Sequence, residues 1–327
     1  MQNLVELCPL GIGEISVQGT PVGCCLRELI SHGDSLLRSA AQVAAWRQVT
    51  EAVHAEGGRI FAQLMHAGRL GDPDLLPAGT WPVGPSAVSA SGEMYTVAGP
   101  KPHVVPREMN RSEIAETISD FARAARNAME AGFDGVEVHS AFGYLLGQLL
   151  SSNANRRTDE WGSGTEGRTR LVVDVVSVVA REIDADRVGL RISPATTLND
   201  IVEDDTEALY GNLVNGINDL GLAYLHVAEA PGQRALTNTL REQWSGALLL
   251  NPGTHPEPTG SAALALIEDG TADMVSYGAL FLANPDLPQR LEAGAPLNTP
   301  DPTRFYGGDH SGYTDYPRLD AVGSKGD

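Results

Sequence analysis

The 327-residue sequence predicts a single α/β barrel. Three observations predict it. Apolar strand-like runs alternate with helical periodicity from about residue 40 to 292. The length suits a barrel of ~250 residues plus insertions. No internal repeat or linker divides the chain. Strands that read as apolar runs need cover on both faces, and short strand–helix–strand connections make them parallel with right-handed crossovers.

Residues 15–17 read as the first strand. Residues 42–55 are helical, and the run 59–65 (RIFAQLM) is the next strand. Residues 72–110 are rich in Pro and Gly and lack a helical pattern, so they read as a long excursion with room for a hairpin. Asn110 and Glu113 form a capping-box pattern. Ile114, Ile118, Phe121, Ala125 and Met129 follow at helical spacing until Gly132 stops the helix. Residues 133–139 are a buried strand. The helix 168–183 places Val172, Val175, Val176 and Val179 on one face. A strand at 188–193, a helix at 207–220, strands at 223–228 and 247–250, a helix at 260–269, a strand at 274–277 and a short helix at 285–291 complete the alternation. That makes seven strands, one short of a closed eight. The barrel is placed at 1–293, and 294–327 as a Pro-, Gly- and Asp-rich tail over its mouth with a partly disordered end.

Lys plus Arg number 23 and Asp plus Glu 42, a formal charge of −19. Phosphate backbones and anionic lipid repel such a chain, which argues against nucleic-acid and membrane-surface partners. No run of ~18 apolar residues occurs, and MQNLVELCPLGIGE lacks a basic segment followed by an apolar one, so a cytoplasmic protein is expected. Cys8, Cys24 and Cys25 lack metal-type spacing and make no disulfide framework.

Strand parity points polar groups inward at one end of the barrel. Phe61, Gln63 and Met65 share a face, as do Glu137 and His139, and Arg191 and Ser193. Barrel chemistry sits at the C-terminal ends of strands, where His139, Arg191 and Ser193 lie. An inward Glu137 needs a charge partner, for which Arg191 is the candidate. His226, on an otherwise apolar strand, reads as a satisfied core histidine, and His66 as structural. The stretch Glu203-Asp204-Asp205 reads as a solvated helix start.

GFDGVEVHSAFGYLLGQLLSSNANRRTDEWG, RTRLVVDVV and RVGLRISP together resemble the Old Yellow Enzyme family. GRIFAQLMHAGR, GLAYLHV, FLANPDLPQRL and the tail FYGGDHSGYTDYP extend the likeness over about residues 12–317. The resemblance implies a (β/α)8 barrel with FMN at its mouth, reducing activated alkenes with NAD(P)H. Gln63 would then bond the flavin pyrimidine. Arg191 would lie near flavin N1 and O2, His139 would hold the substrate carbonyl, Tyr144 would donate the proton, and Tyr313 would approach the mouth.

The departures from that pattern are specific. Phe142 stands where the family has a second carbonyl donor, three residues after the histidine, and a phenyl ring donates nothing. Met65 replaces a tryptophan. Gly278 is followed by Ala279 where an arginine usually grips the FMN phosphate, a loss on the order of 2–4 kcal/mol, or roughly 30- to 1000-fold in affinity. Pro252-Gly253 replaces a Gly-Gly phosphate loop and removes an N–H. The family's first strand has no counterpart, so residues 3–7 substitute for it, the barrel is open, or a partner chain fills the gap. A second copy covering the open edge would make a homo-oligomer.

These departures favour a flavin-independent isomerase or cyclase without cofactor. It would act on a hydrophobic, enone-like carbonyl compound through Tyr144 and His139, with Phe142, Met65 and Tyr313 lining the substrate. The alternative is an FMN-dependent, NAD(P)H-driven ene-reductase whose cofactor meets Gln63, Arg191, Gly253 and Gly278. A third reading is a non-catalytic binding or partner subunit. No metal site is expected.

Overall fold

The computed structural model describes residues 14–17, 39–76, 79–96, 99–305 and 310–319. Seven parallel strands form its main sheet: β1 (Glu14–Val17), β2 (Arg59–Leu64), β3 (Gly135–Ser140), β4 (Val188–Ile192), β5 (Tyr224–Ala228), β6 (Leu248–Asn251) and β7 (Met274–Val275). They neighbour one another in chain order, and every pair is parallel. Helices follow the strands, as right-handed crossovers require. They are α1 (Ala40–Ala55), α2 (Arg111–Glu130), α3 (Leu145–Leu150), α4 (Gly164–Ile183), α5 (Thr206–Ile217), α6 (Arg234–Gln243), α7 (Ala265–Glu268), α8 (Ala279–Ala283) and α9 (Leu287–Ala293). The architecture is a TIM-type (β/α)8 barrel, of which the described residues supply seven strands. Among them no pairing joins β7 to β1. The candidate replacement strand 3–7, the cysteines Cys8, Cys24 and Cys25, and most of the divergent segment 22–40 lie outside the described residues.

Local chemistry explains the elements. The Asn110 side chain accepts from the Ser112 and Glu113 amides, and Glu113 reaches back to the Asn110 N–H at 2.9 Å, so α2 begins at its capping box. Ser39 and Gln42 start α1 in the same way. Val172, Val175, Val176 and Val179 of α4 are fully buried against the outward Val136, Val138, Leu190 and Ile192 of β3 and β4. Each such side chain contributes roughly 1.5–3 kcal/mol of burial. This cluster between helices and sheet is the main core.

A smaller cluster lies on the other face of the sheet, where Phe61, Tyr224 and Leu249 meet. The Phe61 and Tyr224 rings are 5.7 Å apart and tilted by 52°. Two glycines make room for them: a Cβ at Gly135 would strike the Phe61 ring, and one at Gly189 the Tyr224 ring. Gly135→Ala is therefore expected to destabilise the protein by about 1–3 kcal/mol through overpacking, read as a lower urea midpoint at unchanged slope.

Several elements differ from the sequence reading. Helix α6 was not expected, because RALTNTLREQ buries only Thr237 and Leu240 and carries a weak apolar stripe. The short α3 and α8 were also not expected. Residues 260–269 split into a 3₁₀ turn, Ser261–Leu264, and the single turn α7. Within the excursion, Glu93–Thr96 and Gly99–Pro102 form an antiparallel hairpin, and Val83–Gly84 pairs with Arg107–Glu108. The acidic stretch at α5 is not simply solvated. Glu203 is half-buried, accepts the Tyr210 hydroxyl at 2.6 Å and the Ala195 amide at 2.9 Å, and desolvation raises its pKa. The tail is tied down by Arg290, which donates to the Pro296 and Pro317 carbonyls at 2.6 and 2.8 Å. No helix among the described residues is long and apolar enough to cross a membrane.

Candidate active site

The register places Gln63 beside Glu137, and Arg191 between His139 and His226. These side chains share the inward parity, so the barrel carries a polar layer above the Phe61–Tyr224 cluster. Glu137 is fully buried. Gln63 Nε2 donates to its Oε1 at 2.6 Å, and His226 Nδ1 lies 2.8 Å from its Oε2. His226 Nε2 lies 3.2 Å from the Ser276 hydroxyl. Burial drives the His226 pKa down against the opposing pull of Glu137, and these bonds place an N–H at Nδ1 facing the carboxylate and set Nε2 against Ser276. Burial opposes the charge on Glu137. His226, the Arg191 field and the Gln63 bond outweigh it and hold the carboxyl at about 2. The expected partner Arg191 thus contributes through its field, while Gln63 and His226 hydrogen-bond the Glu137 carboxylate. His226 is the satisfied core histidine that its apolar strand suggested. His66 is structural too: its Nδ1 accepts from the Gly68 amide at 2.9 Å.

Above this layer His139 is 3% exposed. Burial and the neighbouring Arg191 cation push its pKa down to about 3, so it is a neutral imidazole. Its Nδ1 is buried and has no hydrogen-bond partner among the described residues. The Arg191 guanidinium stays charged despite burial, as arginine does in proteins.

The turn after β3 carries the remaining candidates. Phe142 and Gly143 are both left-handed, with φ of 53° and 75°. This sharp reversal makes Tyr144 the N-cap of α3 and returns its ring toward His139. The His139 and Tyr144 ring centroids are 5.3 Å apart, and those of His139 and Phe142 6.0 Å. The Arg191 guanidinium carbon lies 5.1 Å from the Phe142 ring centroid, within cation–π range. The Phe142 amide donates to Ser193 Oγ at 2.8 Å, and its carbonyl accepts from Asn199 Nδ2 at 2.7 Å. Asn199 was missed by sequence reasoning. The only available signal was an Asn-Asp pair in a loop, residue types that tolerate left-handed backbone, and both adopt it.

Gln63, His139, Phe142, Tyr144 and Arg191 therefore converge. Met65 follows β2 at the same end and is half-buried. Gly253 and Gly278 sit past β6 and β7 at that end. The Gly253 amide donates to Glu229 Oε1 at 3.1 Å, and Arg234 grips the same carboxylate at 2.7 and 2.9 Å. A Cβ at Gly278 would meet nothing within 4 Å. Tyr313 donates its hydroxyl to the tail's own Phe305 carbonyl. Among the described residues no cluster of His, Cys, Asp or Glu could hold a metal.

The model of the NADH:flavin oxidoreductase / NADH oxidase family matches residues 28–298. The chain belongs to that family. It is 41% identical over 295 residues to 12-oxophytodienoate reductase 1 of Oryza sativa subsp. japonica, covering 86% of this chain and 74% of the relative. It is also 41% identical over 285 residues to a probable flavin mononucleotide-dependent alkene reductase of Leishmania infantum, covering 84% and 76%. Among solved structures, morphinone reductase in complex with tetrahydroNAD superposes with a TM-score of 0.85 at 37% identity, covering 98% of this chain and 89% of that one. The Old Yellow Enzyme homologue from Zymomonas mobilis gives 0.84 at 33% identity, covering 97% and 88%. This member of the Old Yellow Enzyme family is thus an oxidoreductase.

Two expectations are corrected by these findings. The flavin-independent isomerase or cyclase is overturned by near full-length likeness to reductases, and the absence of a cofactor by a family defined by flavin. Single lost contacts do not each decide binding. One phosphate contact is a small part of the total for a ligand with a broad ring surface and several polar groups. The residues present fit a flavin ring. Gln63 supplies an amide and Arg191 a buried cation suited to an anionic reduced ring.

Proposed function

We propose that this protein is an FMN-dependent, NAD(P)H-driven reductase of activated alkenes, acting on hydrophobic carbonyl compounds. The observation that carries the reading is the neutral, buried His139 imidazole with the Tyr144 ring 5.3 Å away at the barrel mouth. Gln63 and Arg191 would hold the flavin ring, with Gly253 and Gly278 as further cofactor contacts. When bound, FMN supplies the hydride. His139 donates a hydrogen bond to the substrate oxygen and polarises the alkene. Tyr144 holds the proton destined for the α-carbon. Phe142 and Met65 form an apolar wall that excludes water, and Tyr313 borders the mouth. The names of the relatives, an alkene reductase among them, support this assignment.

The test is direct. Protein purified with added FMN should retain visible flavin absorption after desalting and oxidise NAD(P)H when cyclohexenone is supplied. Loss of all flavin on desalting together with no enone-dependent oxidation would sink the reading.

Phe142→Asn gives a sharper result. Asparagine accepts left-handed backbone more readily than phenylalanine, while the substitution forfeits the Arg191 stacking, so stability should change by under about 1 kcal/mol. The added amide supplies a second donor to the substrate oxygen. Cyclohexenone turnover is expected to rise about tenfold or more in steady-state kinetics, the scale of an added oxyanion donor.

A further inference from the structure

We infer that Asn199 is a positioning residue that sets the geometry of the Tyr144 turn from the opposite loop. Its amide Nδ2 donates to the Phe142 carbonyl at 2.7 Å, across 57 residues of sequence. Phe142 is a bulky residue at φ 53°, a backbone region that β-carbon sterics disfavour, so external bonds must hold it there. Two do: Ser193 Oγ on its amide and Asn199 on its carbonyl. The neighbouring Gly143 fits against Asn199 itself, since a Cβ at Gly143 would lie 3.0 Å from the Asn199 Cβ and 2.8 Å from Ile201 Cγ1.

Asn199 is in turn fixed. Its own φ is 57°, and fully buried Arg69 donates to the Asn199 carbonyl at 3.2 Å and the Asp200 carbonyl at 2.7 Å. Arg69 connects to the turn by a second route. Its amide donates to Gln148 Oε1 at 2.9 Å, and Gln148 Nε2 donates to the Gly143 carbonyl at 2.8 Å. The loop after β4 and the segment after β2 therefore grip both peptides of the reversal that ends on Tyr144.

The catalytic arm of this inference rests on the reductase reading, so the test uses a second readout that does not. Asn199→Asp keeps shape and tolerance of left-handed backbone but replaces the donor with an acceptor facing the Phe142 carbonyl. Asn199→Gly keeps the backbone freedom and removes the amide. In hydrogen exchange of the holoenzyme, the Phe142, Tyr144 and Leu145 amides should exchange at least ten times faster in both variants, while α4 exchanges as in the wild type. Enone turnover should fall 10- to 100-fold. Its solvent deuterium isotope effect should grow as proton delivery becomes limiting, and flavin reduction by NADPH should stay within twofold. Unchanged exchange at 142–145 in both variants overturns the inference, and so does wild-type turnover with an unchanged isotope effect. If the wild type reduces no enone, the reductase reading fails and the exchange result alone decides the role of Asn199.

Discussion

Glu137→Ala should destabilise the protein by about 3–5 kcal/mol, the usual consequence of removing one partner from a buried charged network. The carboxylate is fully buried and satisfies the Gln63 amide, the His226 N–H and the Arg191 field together. Without it, the Gln63 amide and the His226 N–H lose this acceptor and the Arg191 cation loses a counter-charge. The same network predicts an acid limb. Glu137 is held at about 2 against an ordinary 4.5. A lowered pKa means the contribution is fully present above about pH 4.5 and is lost as pH falls toward 2. By linkage that amounts to roughly 3 kcal/mol. Glu137→Gln keeps acceptor and shape but abolishes the titration. Urea unfolding across pH 2–6 should show a steep decline in the wild type and a shallower one in Glu137→Gln. Identical slopes would show that Glu137 is not the group responsible.

Tyr144→Phe should slow enone reduction about 10²- to 10⁴-fold, the range for a positioned general acid. The substitution removes one oxygen and keeps the ring that packs, tilted, 5.3 Å from His139, so fold and cofactor content should be unaffected. Stopped-flow measurement of the two half-reactions separates the effects. Flavin reduction by NADPH should remain within twofold, and reoxidation by cyclohexenone should carry the loss. A reoxidation rate equal to the wild type would place the proton source elsewhere, with water as the first alternative.

The site was legible where a strand displayed it. Gln63, His139 and Arg191 lie on runs whose two-residue parity can be read directly, and the structure brings them to one end of the barrel. Tyr144 was legible from a local motif alone. The partners of Glu137 were not, since His226 is 89 residues away and nothing in its own strand says which inward neighbour it will face. Asn199 was illegible for the same reason: its function is a bond to a peptide carbonyl, and backbone groups leave no mark in composition. The helix α6 was missed because its polar sequence buries only Thr237 and Leu240 and so shows little apolar period.

Cofactor dependence shows the opposite failure. Ala279, Pro252 and Phe142 are real departures, but each concerns one contact, and over 86% of its length the chain is 41% identical to a reductase.

By itself the sequence determined the parallel order of the strands, the core-facing stripes of the helices and the inward parity of the polar residues. These follow from periods of 2.0 and 3.6 that any short window contains. Only the tertiary structure decided that His139 is neutral, that Glu137 is ionised in full burial, and that Phe142 is held left-handed from a distant loop. Charge state and backbone strain depend on which groups meet across the barrel, and that juxtaposition exists only after the chain has closed around them.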